Sequence, residues 1–345
     1  MYEIWSPGQW SVGASAAIFV VAGALTVVGS VRLVGLGDTL AERTGWGQAL
    51  FGAVFFGLAT SLSGIVMTAT ASAAGQAELG YSNAVGGIAA QTLAVAVADT
   101  AYRRVNLEHA AASPSNLMFG TLLIALLALA LWASMTPDVT LLGLHPASAL
   151  LVGVYLGGLR LIRDRSEKPM WRATPTSETL PEEASHEEDD RRGTAALWAL
   201  FVPVGLVVAA GGWAIAQAAG NLVDATGLQA GFVGAGLMGL VNALPETVTA
   251  VAAVRRGAIT LAVAAILGGN CLDVLNLVVG DVALRGGSIY HAAGSNELLV
   301  TATGLFMTAV LLAGLLLRQS RGWGRLGFEG SVLIGAYVLM IGLLV

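Results

Sequence analysis

One cysteine, one lysine and few charges of any kind narrow what this chain can be. The lone Cys271 excludes an intrachain disulfide and any cysteine-based metal cluster. Lys168 is the only lysine, and charged residues make up 11% of the chain against 56% hydrophobic. With a mean hydropathy of +0.75, the composition lies far outside the soluble range. No glycine-rich phosphate loop is present, so ATP-driven pumping has no support. His109, His145, His186 and His291 fall in loops without shared spacing, which indicates neither a zinc site nor a catalytic base. Met1 to Trp10 carry Glu3 and no basic group, so they read as an outside tail with interfacial Trp5 and Trp10 rather than a signal peptide. A net charge of −5 says little where most surface faces lipid.

What is present is a series of apolar stretches of about 20 residues, long enough to cross a bilayer. Ten are read, near 13–36, 47–73, 80–102, 116–136, 145–163, 195–219, 229–254, 259–284, 297–317 and 327–345. With an outside N-terminus, Arg43, Arg103, Arg104, Arg255, Arg256, Arg318, Arg321, Arg325 and the central basic residues all fall inside. Arg285 falls outside, and Arg32 sits late in the first span, where it can snorkel inward. This is the positive-inside pattern of a multi-pass protein of the cell membrane, with both termini outside.

A shift of 182 residues lays the sequence on itself. Thr44, Gly45, Gly52, Gly57 and Leu62 meet Thr226, Gly227, Gly234, Gly239 and Leu244. Gly75, Gly86, Gly87, Asp99 and Arg103 meet Gly257, Gly268, Gly269, Asp281 and Arg285. Five spans per half, an odd number, put the copies in the membrane in opposite directions. The expectation is an all-α membrane protein of ten transmembrane helices in two inverted five-helix repeats. These would cover 1–163 and 195–345, with repeat motifs near 57–103 and 239–285. A polar cytoplasmic linker, 164–194, would join them; its acidic, Ser- and Pro-containing centre cannot bury a core. Duplicated halves of this kind point to alternating access at a site where they meet.

Two spans of the second half carry the chemistry. Around Asn242-Ala243-Leu244-Pro245-Glu246, a mid-span proline frees backbone carbonyls and a carboxylate follows at once. An ionised acid there costs roughly 3 kcal/mol or more, so a bound cation is the expected partner. Next, Asn270, Asp273 and Asn276 follow i, i+3, i+6, an oxygen-rich stripe without histidine that suits hard cations. The first half offers neutral groups only: Thr60, Ser61, Asn83 and Gln91, with Gly64 opposite Glu246 and Gln91 opposite Asp273. Asp99/Arg103 and Asp281/Arg285, spaced i, i+4, read as helix-end ion pairs. Glu297 reads as a helix N-terminal charge.

Thr60-Ser61-Leu62-Ser63-Gly64 and Asn242-Ala243-Leu244-Pro245-Glu246 resemble the G-T-S-L-P-E motif of the calcium/cation antiporter superfamily, the sodium/calcium exchanger family. Ser82 to Gln91 and Ala264 to Asp273 are similar to its downstream G-N-x-x-G-S-N-x-x-N/D element. The resemblance implies exchange of Ca²⁺ for Na⁺, H⁺ or another cation at a midplane site. It places the ligands on the second, third, seventh and eighth spans: Glu246, Asp273, Asn270, Asn242, Thr60, Ser61, Asn83 and Gln91. Gly64 departs from the family glutamate, Asn242 and Ala243 from the second Thr-Ser, and Gly87 and Gly269 from motif serines. These departures bear on which cation is carried.

With Glu246 and Asp273 both ionised the site holds at most two negative charges. That suits one divalent ion, or two monovalent ions or protons in alternation. Close carboxylates in a low dielectric repel, so one binds a proton readily. The expectation is a secondary-active antiporter exchanging Ca²⁺ or another hard cation for H⁺ or Na⁺. A Na⁺/H⁺-type monovalent antiporter and a degenerate, non-transporting homologue stand as alternatives. A channel would use the same acids, and an intramembrane enzyme would use Asp273 with Cys271 or Glu246 as base. No cofactor is expected beyond the transported cations, and no partner beyond lipid; neither nucleic acid nor a protein partner is indicated.

Overall fold

The computed structural model describes residues 10–44, 57–102, 105–111, 113–141, 143–166, 174, 192–320, 322 and 326–345. Among them the chain is helical, apart from one isolated bridge between Leu141 and Leu144. The first half contains α1 (Val12–Thr44), α2 (Gly57–Ala73), α3 (Ala77–Ala101), the single-turn α4 (Leu107–Ala110), α5 (Pro114–Ala133) and α6 (Pro146–Ser166). The second contains α7 (Thr194–Thr226), a π-helical segment (Phe232–Met238) running into α8 (Gly239–Arg255), α9 (Ile259–Asp273), α10 (Asn276–Ala283), α11 (Ser295–Leu317) and α12 (Phe328–Leu344). Eight helical stretches among the described residues are long and apolar enough to cross a membrane, and Phe328–Leu344 is a shorter apolar helix. Helix α2 supplies 17 residues, and the first part of its expected span, 47–56, lies outside the described residues. So does most of the expected linker.

The duplication reaches much further than the sequence comparison reads. α1 and α7, α2 and α8, and α3 and the α9–α10 pair begin and end at positions 182 residues apart. Contacts give the relative direction. The start of α1 meets the end of α7, where Asn221 Nδ2 donates to Trp10 O at 2.8 Å. The end of α1 meets the start of α7, where Arg43 donates to Arg192 O. The twin helices are therefore antiparallel, and the repeats are inverted. They cross at twin glycines: a Cβ on Gly29 would stand 2.8 Å from Val208, and one on Gly211 would stand 2.2 Å from Thr26. Such small residues let membrane helices approach closely. The outer faces of this pair, including Val20, Leu25, Val202 and Leu206, are exposed as lipid contact requires.

Local signals set the helix ends. Ser113 caps α5, accepting from Asn116 N at 3.4 Å ahead of Pro114. Gly227 ends α7 in the left-handed region at φ 72°. Glu297 accepts from Gly294 N at 2.9 Å and from Ser82 Oγ at 2.9 Å, so the helix N-terminal charge also ties α11 to α3. His109 differs from its expected loop position in lying on α4.

The expected Asp281–Arg285 ion pair is replaced by something else. Asp281 is buried and Arg285 exposed. Asp281 Oδ1 accepts from Ile289 N at 3.3 Å, and Oδ2 accepts from His145 N and Ser148 Oγ, both at 2.8 Å. Its twin Asp99 accepts from Leu107 N at 2.7 Å, and Gly327 N–H approaches the same carboxylate. Each aspartate thus clamps the backbone eight residues on and the start of the last helix of a repeat. Arg103 lies outside the described residues. Asp281→Ala is expected to cost about 3 kcal/mol or more, because it leaves several buried donors unpaired. Arg285→Ala is expected to cost almost nothing. Equal losses of melting temperature in the two variants would restore the ion pair.

Candidate functional site

Helices α2, α3, α8 and α9 meet at the centre of the molecule, and α3 is buried along most of its length. Backbone meets backbone there: a Cβ on Gly86 would stand 2.2 Å from Ala235 Cα, and one on Gly239 would stand 2.8 Å from Gly86 C. The π-helical turn before α8 leaves the i→i+4 ladder, an arrangement frequent at functional sites. The break expected at Pro245 is absent, since α8 runs through it. The second discontinuity instead follows Asp273 directly, where α9 stops and α10 restarts at Asn276.

Glu246 is 5% exposed, and Asp273 is fully buried. The two carboxylates are close enough to interact electrostatically. Gln91 Nε2 donates to Asp273 Oδ2 at 2.7 Å. These residues occupy equivalent positions in the two repeats, so their contact lies on the pseudo-two-fold axis. Asn276 Nδ2 reaches Asp273 Oδ1 at 3.4 Å, and Ser61 faces the same carboxylate. Thr60 faces Glu246. The stripe expected on one helical face is therefore split by the turn at residues 274–275, and Asn276 still comes back onto Asp273.

Asn242 takes up the space that Gly64 leaves. A Cβ on Gly64 would stand 2.7 Å from Asn242 Oδ1, and one on Gly87 would stand 2.9 Å from Nδ2. Ser63 Oγ donates to Asn242 Oδ1 at 3.2 Å. The first-repeat acid and the second-repeat threonine of the motif are thus replaced together: a neutral amide fills the volume of a carboxylate. Asn83 Nδ2 donates to Gly64 O at 3.2 Å and to Thr68 Oγ1 at 2.9 Å. Asn270 stands at the edge, donating to Thr92 Oγ1 at 3.0 Å.

All eight residues expected from the sequence thus lie in or beside one buried polar cluster, joined by three not expected there, Ser63, Thr68 and Thr92. Ser63 belongs to the first motif copy, and Thr92 follows Gln91, so adjacency was the one available signal.

The cluster is under-satisfied. Asn83 Oδ1, Gln91 Oε1 and Asn270 Oδ1 are buried without a hydrogen-bond donor, and Asn242 Nδ2 without an acceptor, while the buried Glu246 carboxyl has the facing Thr60 hydroxyl for its two oxygens. Leaving one such group unpaired costs about 1–3 kcal/mol. An array of oxygens with carboxylates and almost no spare donors has the chemistry to receive a hard cation. Among the described residues no third Asp, Glu, His or Cys joins the two acids. Cys271 turns away, donating to Phe119 O at 3.4 Å, which removes the Asp273–Cys271 pairing that an enzyme would need.

Comparison with known proteins agrees with this arrangement. The family described as sodium/calcium exchanger protein matches residues 14–161 and 196–345. No curated protein matches the chain. Among solved structures, native YfkE superposes with a TM-score of 0.63 at 16% identity, covering 97% of this chain and 93% of its own. The sodium-calcium exchanger NCX_Mj, in crystals soaked with Na⁺ and Sr²⁺, gives 0.57 at 16% identity, covering 96% and 99%. Two inverted helical repeats, a cluster of oxygens between them and a family match over both halves place this chain in the sodium/calcium exchanger family of membrane cation transporters.

Proposed function

We propose that the protein is a secondary-active antiporter that exchanges Ca²⁺ or another hard cation for H⁺ or Na⁺. Its ion site would be formed by Glu246, Asp273, Asn270, Asn242, Thr60, Ser61, Asn83 and Gln91. The observation that carries this reading is the set of unpartnered oxygens around two buried carboxylates. A cation satisfies acceptors of both repeats at once and also neutralises the carboxylates, which a water molecule cannot do. Two carboxylates match one divalent ion, or two monovalent ions or protons, so exchange of one for the other leaves the site neutral in either state. In the cell membrane the chain would lie with both termini outside and the linker inside, as the arginine distribution requires.

Vesicles containing the purified protein, loaded in turn with Ca²⁺, Mn²⁺, Mg²⁺, Na⁺ or K⁺ and challenged with imposed pH and Na⁺ gradients, test the reading. Uphill uptake of one cation driven by a gradient of another is expected. Uncoupled downhill current would make the protein a channel. No flux under any gradient would make it a non-transporting homologue. Asn242 in the place of an acid favours a second, narrower reading, monovalent Na⁺/H⁺ exchange; the same screen reports it as Na⁺ flux without divalent flux.

A further inference from the structure

The two aspartate clamps are twins in backbone and opposites in chemistry. At the Asp281 clamp the carboxylate and both hydroxyls have partners: both carboxylate oxygens accept hydrogen bonds, and Tyr290 Oη pairs with Ser148 Oγ at 2.8 Å. At the Asp99 clamp, Glu108 stands where Tyr290 stands, and Glu329 takes the place of Ala147 beside Ser148. All three acids are 1% exposed. Glu329 is packed against Gly314 of α11 and folds back over Gly327, which leaves it little room to swing away. Asp99 Oδ2 and Glu108 Oε2 receive no hydrogen bond from any described donor, although the Glu329 carboxyl is within hydrogen-bonding reach of Glu108.

Among the described residues, the charged groups nearest this cluster have partners elsewhere. Arg318 at the end of α11 donates to the carbonyls of His109 and Thr174, and His109 Nδ1 contacts Arg318 O. Tyr102 follows α3, while α9 brings no charged side chain to this end. Among the described residues no ion pair involves Asp99, Glu108 or Glu329. Among the described residues no set of three carboxyl, imidazole or thiol groups is arranged to hold a metal ion here either. A proton is the ligand that the described groups leave.

We infer that Glu108 and Glu329 share a proton, forming a second proton-binding site at the face where the arginine-rich connections lie, and that this proton fastens α3 to the start of α12. Removing it would set two carboxylates against each other beside Asp99 and loosen the end of the helix that carries Asn83 and Gln91. Burial, with the Glu329 and Asp99 carboxylates beside it, holds Glu108 well above the usual carboxylate range. The sign follows: stabilisation by this proton is full below the ordinary glutamate value and is lost as pH rises through the raised one. The site does not depend on which ion the protein carries.

The test is thermal unfolding of the full-length protein in detergent, followed by tryptophan fluorescence at about pH 5 and about pH 8. Glu329→Gln and Glu108→Gln are compared with the wild type, since an amide keeps a donor and cannot ionise. The wild type is expected to lose roughly 3 °C or more between the two pH values. Either glutamine variant should lose less, and should melt above the wild type at the higher pH. Infrared difference spectra, wild type minus variant, should show the same protonated-carboxyl band lost in both variants, over any band that Glu246 or Asp273 contributes to all three. Parallel pH dependence in all three proteins, or no protonated-carboxyl band in the difference spectra, would overturn the inference. So would failure of both variants to fold, because glutamine has the shape of the protonated acid. Transport is not measured, so a wrong assignment of the carried ion leaves this result unaffected.

Discussion

Glu246→Gln is expected to abolish coupled cation flux while leaving the protein folded. Glu246 is buried with the Thr60 hydroxyl facing it, so the glutamine side chain fits the same volume but turns one acceptor into a donor facing the ion. It also halves the formal charge available. Removing one unit charge about 4 Å from a monovalent ion, at an effective dielectric near 20, costs about 4 kcal/mol, on the order of a thousandfold in affinity. Stability should behave differently. A lone buried carboxylate is costly and its amide is not, so without cation the variant should melt at or above the wild-type temperature. Added cation should raise the wild-type melting temperature by mass action and leave that of the variant unmoved. Wild-type flux in the variant would remove Glu246 from the ion site. A folded variant without flux or cation response is the expected pair of results.

Gly86→Ala should have a large effect on folding, because a packed helix crossing stands where the methyl would go. The new carbon would meet Ala235 Cα at 2.2 Å and Ala235 Cβ at 2.4 Å. Those atoms belong to the π-helical turn feeding α8, so no side chain can swing aside and a whole helix must shift. Overpacking of this kind costs on the order of 3 kcal/mol or more, visible as loss of the monodisperse peak on size exclusion and a large drop in melting temperature. The twin position supplies the control. A Cβ on Gly268 would meet only the Phe119 ring, at 3.7 Å, an ordinary contact. Gly268→Ala should therefore be neutral, or gain up to about 1 kcal/mol from helix propensity. If the two substitutions cost the same, the close crossing of α3 and α8 is wrong.

The contrast between those two glycines also marks how far sequence reading goes. Gly86 and Gly268 align in the repeat comparison, and nothing local distinguishes them; the difference lies in what another helix brings opposite. Duplication, helix type and the pairing of Glu246 with Asp273 were legible because each rests on side-chain identity at a constant register. Asp281 was misread as half of an ion pair for a related reason. Its i, i+4 arginine is visible in the string, whereas the donors that actually hold Asp281 are mostly backbone N–H groups, which every residue but proline carries. The exchange of Gly64 for Asn242 was visible as two separate losses. Their compensation is not, because it depends on an amide of one repeat entering a gap in the other. Pro245 misled in the opposite direction: the helix absorbs it, and the irregular backbone lies about two turns earlier, at Phe232–Met238.

Gln91 and Asp273 are counterparts that touch each other. Any motion that makes each half adopt the other's shape sends this pair onto itself, so the contact has no reason to break between the two forms. Thr60 with Glu246 and Gly64 with Asn242 have no such privilege; each couple must become the other. The antiporter proposed above would rock about a fixed fulcrum, with the carboxylate beside the amide as the still point and the glutamate as the part that travels.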